Sequence, residues 1–188
     1  MVSIATLSGC TSALFLFLLQ LATATREKHL WFLFLLPLAG LTIVYLYRKY
    51  GQVVKKGNNL LIEEYYSPRG IIPWVMAPLI LVSTLITHLF GGSAGREGTA
   101  IQYGGTFADK IASFFALDKT QNRVALMAGV AAGFASLFGT PLAGTIFALE
   151  VFKIGPIRAK ALPVVAVTAY LSHFLTLVLQ APHSHYKS

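Results

Sequence analysis

The sequence predicts an all-α integral membrane protein whose helices stop and restart at glycines. Three observations lead there. The chain of 188 residues is 55% hydrophobic and only 12% charged, whereas soluble domains carry about 25% charged residues. The charges are clustered, which leaves residues 1–25, 30–47, 70–95, 124–149 and 161–186 without Asp, Glu, Lys or Arg. Each run is near or above the roughly 20 residues that cross a bilayer as a helix, and a soluble core accounts for one such run, not for all of them. Finally, polar breaks interrupt the apolar sequence at "GNN", "GREGT" and "GTP".

Taken in order, residues 1–25 read as a retained membrane helix with Cys10 as a packing residue. A single cysteine excludes a disulfide framework or a cysteine-rich metal site. Residues 30–47 form a second helix, paired with the first through "TREKHL". A polar, turn-rich stretch follows, holding a short apolar piece at residues 60–62. The run at 71–90 carries Pro73 and Pro78, so its helix starts or kinks at a proline. "TAIQYGGTFADKIASFFA" predicts a helix from about Thr99 to near Asp118.

The fourth run divides into "NRVALMAGVAAGFASLF" and "PLAGTIFALEVFKI", each short for a crossing. Gly139 closes the first piece, and Pro141 suits the first turn of the second. Gly129 and Gly133 have the spacing that lets membrane helices approach closely. Residues 162–179 form the last helix, before a polar tail in which His183 and His185 are too sparse for a metal site.

A net charge of +8 raises the question of nucleic acid. A nucleic-acid binder gathers its cations on one face, but here they flank apolar runs: Arg48, Lys49, Lys55 and Lys56, then Lys153, Arg158 and Lys160. Such loops orient helices, because Lys and Arg stay on the cytoplasmic side. They place the N-terminus in the cytoplasm of a multi-pass protein of the cell (inner) membrane. An intramembrane enzyme is disfavoured, since no HExxH or phosphate-binding loop occurs, and no cofactor is expected.

The breaks carry the chemistry. Non-helical backbone in a bilayer survives where protein buries it or where it lines a path for a polar solute. The first N–H groups of a helix lack intrahelical partners and sit at the positive end of the helix dipole, so such a terminus attracts an anion. At Gly95-Arg96-Glu97-Gly98-Thr99, glycines leave the amides accessible, and Glu97 can occupy the site as a tethered anion. Protonation would release it, making Glu97 both gate and proton carrier. At Gly57-Asn58-Asn59, asparagine is a good N-cap for a half-helix aimed at the same place. Gly139-Thr140-Pro141 supplies a third helix start, and convergence of all three on one ion is the expectation. Glu63 and Glu64 read as solvated charges, Glu150 as structural, and His88 as a packing or locally bonded group.

"GREGT" resembles the Gly-Lys/Arg-Glu-Gly-Pro signature of the CLC family of chloride channels and anion/proton exchangers. "AAGFASLFGTPLAGTIFALEV" is similar to the family's segment around Asn-Ala-Pro-Leu-Ala-Gly, and "GNNLL" falls where the family has Gly-Ser-Gly-Ile-Pro. The resemblance covers essentially the whole chain. It implies broken and re-entrant helices, a homodimer with one anion path per subunit, and Glu97 as the external gating glutamate. Asn58, Asn59, Gly95, Arg96, Gly98 and Thr99 are then the anion-binding set.

Thr99 stands where chloride-type members have proline, and Asn58 where they have serine, a combination that looks like the bacterial fluoride/proton exchanger branch. Fluoride is small and strongly hydrated, and an Asn amide offers two donors where a serine hydroxyl offers one. Fluoride is therefore preferred, with chloride possible. Val151 stands where exchangers carry an inner glutamate, so the inner proton route is not marked. The chain resembles one of the family's two inverted halves, the N-terminal one, so residues 1–188 are expected to be half of a transport domain. The alternative is a non-transporting half-molecule, either an assembly partner or a truncated remnant.

Overall fold

The structure, a computed structural model, describes residues 1–152 and 160–180. Lys153, Arg158, His183 and His185 lie outside the described residues. All regular structure in the described residues is helical.

Helix α1 (Val2–Lys28) ends with Arg26 and Lys28 in its last turn, where cations suit the dipole. It buries Ile4, Ser8, Ser12, Phe15 and Leu19, a stripe with helical spacing. Cys10 lies on the opposite, exposed face, so it is not the packing residue expected. A 3-10 turn at Leu30–Leu35 leads into α2 (Leu36–Tyr50), with proline in its first turn.

The expected α1–α2 pair does not form. Helix α1 packs on the later helices α4 (Met76–Leu89), α5 (Arg96–Phe114), α6 (Lys119–Phe138) and α8 (Leu162–Val178), whereas α2 lies against α4. The small side of α1 explains the choice. A Cβ at Gly9 would stand 2.9 Å from the carbonyl oxygen of Ser172 on α8, whereas a Cβ at Gly40 of α2 would meet nothing within 4 Å. Only Ala39 of α2 is buried, and Leu38, Leu41, Val44 and Tyr45 are exposed. A helix apolar on its outer face in this way is matched to lipid or to another protein surface rather than to water.

Helix α4 begins after Pro73 and carries Pro78 in its first turn, where a missing N–H breaks no intrahelical bond. Helix α6 is the centre of the bundle, touching α1, α5, α8 and α7 (Pro141–Val151). It starts earlier than the sequence suggested, because Asp118 and Gln121 form a capping box. Its 20 residues therefore reach about 30 Å, enough for a crossing by length.

A Cβ at Gly104 of α5 would collide with the carbonyl of Gly129 of α6, and one at Gly129 with the carbonyl of Gly104. Gly133 meets the Ala100 carbonyl in the same way. The expected close approach at Gly129 and Gly133 is thus met by α5. Beside it, the Ser12 hydroxyl bonds the Tyr103 and Ser136 hydroxyls at 2.5 and 2.6 Å, which joins α1, α5 and α6 through a buried polar cluster.

Of the uncharged runs, two yield helices long and apolar enough to cross a membrane, Val2–Lys28 and the segment Leu30–Tyr50. The others yield the shorter apolar helices Met76–Leu89, Pro141–Val151 and Leu162–Val178, with residues 124–138 given to α6. Each shorter helix carries a proline in its first turn, and Gly139, left-handed at φ 72°, closes α6 before α7.

Candidate functional site

The "GNN" break folds as a 3-10 turn at Val54–Lys56 followed by Gly57 at φ 56°, ψ −131°, a backbone conformation that only glycine adopts readily. Helix α3 (Asn58–Tyr66) starts immediately afterwards. Gly57 is the N-cap, and Asn58 is already inside the helix, so the expected asparagine cap is corrected. The glycine conformation aims the chain into the helix and leaves Asn58 free for another contact. At the far end Arg123 donates from Nε to the Tyr65 carbonyl (2.9 Å) and from Nη2 to that of Tyr66 (3.1 Å), satisfying the last carbonyls of the helix.

Glu63 pairs with Lys56 at 2.7 Å on the surface, as expected of a solvated charge. Glu64 does not behave that way. It is fully buried and accepts hydrogen bonds from the backbone N–H groups of Arg69, Gly70 and Ile71 at 2.6, 2.8 and 3.1 Å. Its carboxylate anchors the turn that carries the chain from α3 towards α4, a partner set that sequence periodicity does not reveal.

Helix α5 begins at Arg96, about one turn before the expected start at Thr99. Gly95 is its N-cap, in an extended conformation (φ −68°, ψ 123°) with no side-chain cap. Arg96, Glu97 and Gly98 therefore form the first turn rather than a preceding loop. Consecutive helical residues point about 100° apart, and no ion pair joins Arg96 to Glu97 among the described residues. Glu97 is exposed, and a Cβ at Gly95 would meet nothing within 4 Å, so open space adjoins the helix terminus. Thr99 is buried, its hydroxyl 2.8 Å from that of Thr84 and 3.4 Å from the Gly95 carbonyl. His88 contacts the Thr84 carbonyl through Nδ1 at 2.8 Å, the local bond expected of it.

The two breaks meet through Gln102, a residue the sequence reading did not single out. Its Nε2 donates to Asn58 Oδ1 at 3.1 Å. A Cβ at Gly57 would lie 3.6 Å from that nitrogen, and one at Gly98 would lie 3.9 Å from it. One turn onward a Cβ at Gly105 would collide with Leu61. Asn58–Gln102 and Leu61–Gly105 are thus successive layers of two helices running in the same direction, with their N-termini at one end. The signal was present in the sequence, because Gln102 lies four residues after Gly98 and so on the same face of α5.

The third break does not join this contact by a hydrogen bond among the described residues. Helix α7 starts with Pro141 after Thr140 as anticipated, and it packs on α6 and α8. Glu150 is exposed. Asp109 is buried on α5 with Lys110 Nζ 3.3 Å from its carboxylate. No group of three His, Cys, Asp or Glu side chains suited to a metal occurs among the described residues.

The fold and sequence both have known counterparts. Residues 39–187 match the voltage gated chloride channel family. A protein of Pseudomonas syringae pv. tomato called a chloride/fluoride channel protein is 47% identical over 183 residues, covering 97% of this chain and 40% of that protein. An uncharacterized protein of Methanocaldococcus jannaschii is 30% identical over 134 residues, 68% of this chain and 31% of its own. The crystal structure of a CLC-type fluoride/proton antiporter superposes with a TM-score of 0.90 at 36% identity, covering 100% of this chain and 49% of that one. The chain thus spans less than half the length of these relatives. With the matched family segment running from α2 beyond α8 and the whole described bundle reproduced in a solved relative, the chain belongs to the CLC family of voltage gated chloride channels and is a membrane protein.

Proposed function

We propose that this chain supplies half of a path for small anions across a membrane, fluoride preferred and chloride possible, with Glu97 as a proton-linked gate. The observation that carries the proposal is the parallel packing of α3 and α5, with Asn58 at the start of α3 bonded to Gln102 in the second turn of α5 and open space at the α5 cap, Gly95. The two helices point their positive ends in the same direction. Glu97, in the first turn of α5, is the tethered anion that competes with a diffusing one, and its protonation frees the site.

Asn58, Asn59, Gly95, Arg96, Gly98 and Thr99 surround the ion in this reading. Thr99, tied to Thr84, forms wall rather than free donor. Asn58 carries the preference for fluoride, because its amide supplies two N–H donors to a strongly hydrated ion. The names of the Pseudomonas relative and of the solved antiporter, both of which include fluoride, support that choice.

Residues 1–188 act as a single membrane domain, one of two inverted halves whose short helices α3 and α7 are broken and re-entrant. The site closes when a complementary half and a second subunit assemble, in the cell membrane with the N-terminus cytoplasmic. The reading as a non-transporting partner shares this architecture and differs only in flux.

The deciding experiment replaces Glu97 with Gln in the assembled transporter and follows fluoride and proton movement in liposomes. The expected result is loss of proton coupling and of the pH dependence of fluoride flux. Coupled flux equal to that of the unmodified protein would remove Glu97 from the gate.

A further inference from the structure

We infer that Gln102 is a positioning residue for anion selectivity, fixing which end of the Asn58 carboxamide faces the ion. The inference rests on the reading of Asn58 as part of the anion site and deepens it. A carboxamide has a donor end and an acceptor end of nearly the same shape, so hydrogen-bond partners alone settle its orientation. If the oxygen faced an anion, repulsion would replace a hydrogen bond. Asn58 has no side-chain hydrogen bond in the described residues other than the one from Gln102.

Gln102 is confined by the packing of α5 against α3. It is 8% exposed and lies on the α5 face that meets α3. Gly57 and Gly98 flank it, since a Cβ at either would stand in ordinary contact with its Nε2, at 3.6 and 3.9 Å. Its Nε2 donates to Asn58 Oδ1, which engages the oxygen and leaves the Asn58 NH2 to donate elsewhere. Asn58 is exposed at the helix terminus, so this free donor end stands where an anion meets the first turn of α3.

The effect falls more heavily on fluoride than on chloride, because the smaller ion gives up more hydration and depends more on each donor. The test uses the assembled transporter in liposomes with ion-selective electrodes for both halides. Gln102→Met keeps the length and removes the donor. It is expected to lower the fluoride-to-chloride flux ratio about tenfold, the equivalent of one hydrogen bond to an anion. Asn58→Ser is expected to lower it comparably, and the double variant no further than Asn58→Ser alone.

An unchanged ratio in Gln102→Met beside a lowered one in Asn58→Ser overturns the positioning role and spares the assignment of Asn58. Additive losses in the double variant overturn it as well. An unchanged ratio in Asn58→Ser removes Asn58 from the site, and this inference falls with it. Should Gln102→Met fail to give a monodisperse protein, Gln102→Glu decides. Of the same size but accepting rather than donating when ionised, it lowers the ratio if Gln102 aims Asn58, and an unchanged ratio refutes the role.

Discussion

Helices α5 and α6 lie side by side, yet they begin in opposite ways. At the start of α6, Asp118 Oδ1 accepts from the N–H groups of Thr120 and Gln121 at 2.7 and 2.8 Å, and Gln121 returns a bond to the Asp118 N–H. That terminus has already taken an anion, its own. At the start of α5 the cap is Gly95, with no side chain and open space around it. Helix α3 likewise begins with a glycine and no side-chain cap. A capped terminus is a structural end, whereas the uncapped start of α5 beside open space keeps its N–H donors unengaged, and the uncapped start of α3 packs against the second turn of the same helix.

The comparison can be broken most severely by making α5 resemble α6. Gly95→Asp places a carboxylate at a position whose backbone already suits an N-cap and whose Cβ has room. It is expected to raise stability by about 0.3 kcal/mol, since glycine is itself a tolerable N-cap, read as a slightly higher melting temperature in detergent, while abolishing fluoride flux. Retained flux together with the stability gain would separate the α5 terminus from the ion path.

A smaller and mixed effect is expected from Gly57→Ala. Forcing a side chain into φ 56°, ψ −131° costs about 1–3 kcal/mol, and relief of that strain would shift the start of α3, which carries Asn58. Thermal unfolding should show the loss, with fluoride flux falling more than chloride flux.

The smallest effect belongs to Asp118→Ala. Losing the cap is expected to cost about 1 kcal/mol and to leave the fluoride-to-chloride ratio where it was. A changed ratio would show that the α6 terminus is coupled to the site.

Much of this arrangement was legible in local sequence. Glycine and proline mark chain direction within a few residues, so the breaks at Gly57, Gly95 and Gly139 and the start of α7 at Pro141 could be read directly. The Gly129 and Gly133 spacing announced a close neighbour without naming it. What escaped depended on contacts distant in sequence. Gln102 owes its place to Asn58, 44 residues earlier. Glu64 looks like its neighbour Glu63 until the turn at residues 69–71 folds back over it. The start of α5 was misplaced because "GREGT" admits several N-caps, and the backbone at Gly95 selects one. The α1–α2 pair failed because short loops favour pairing of neighbours, while Gly9 and Ser12 fit α8 and α6 better.

The reciprocal contact of Gly104 and Gly129 sets a tolerance for the whole site. Each glycine lies where the other's carbonyl needs the volume, so the separation of α5 and α6 is fixed by main-chain atoms and leaves no side chain to absorb an error. Helix α6 thus works as a template. It gauges the position of α5 to within the width of a methyl group and, through α5, the position of Gln102, two residues before Gly104. Gly129 and Gly133 serve that role by the volume they leave to the carbonyls of α5.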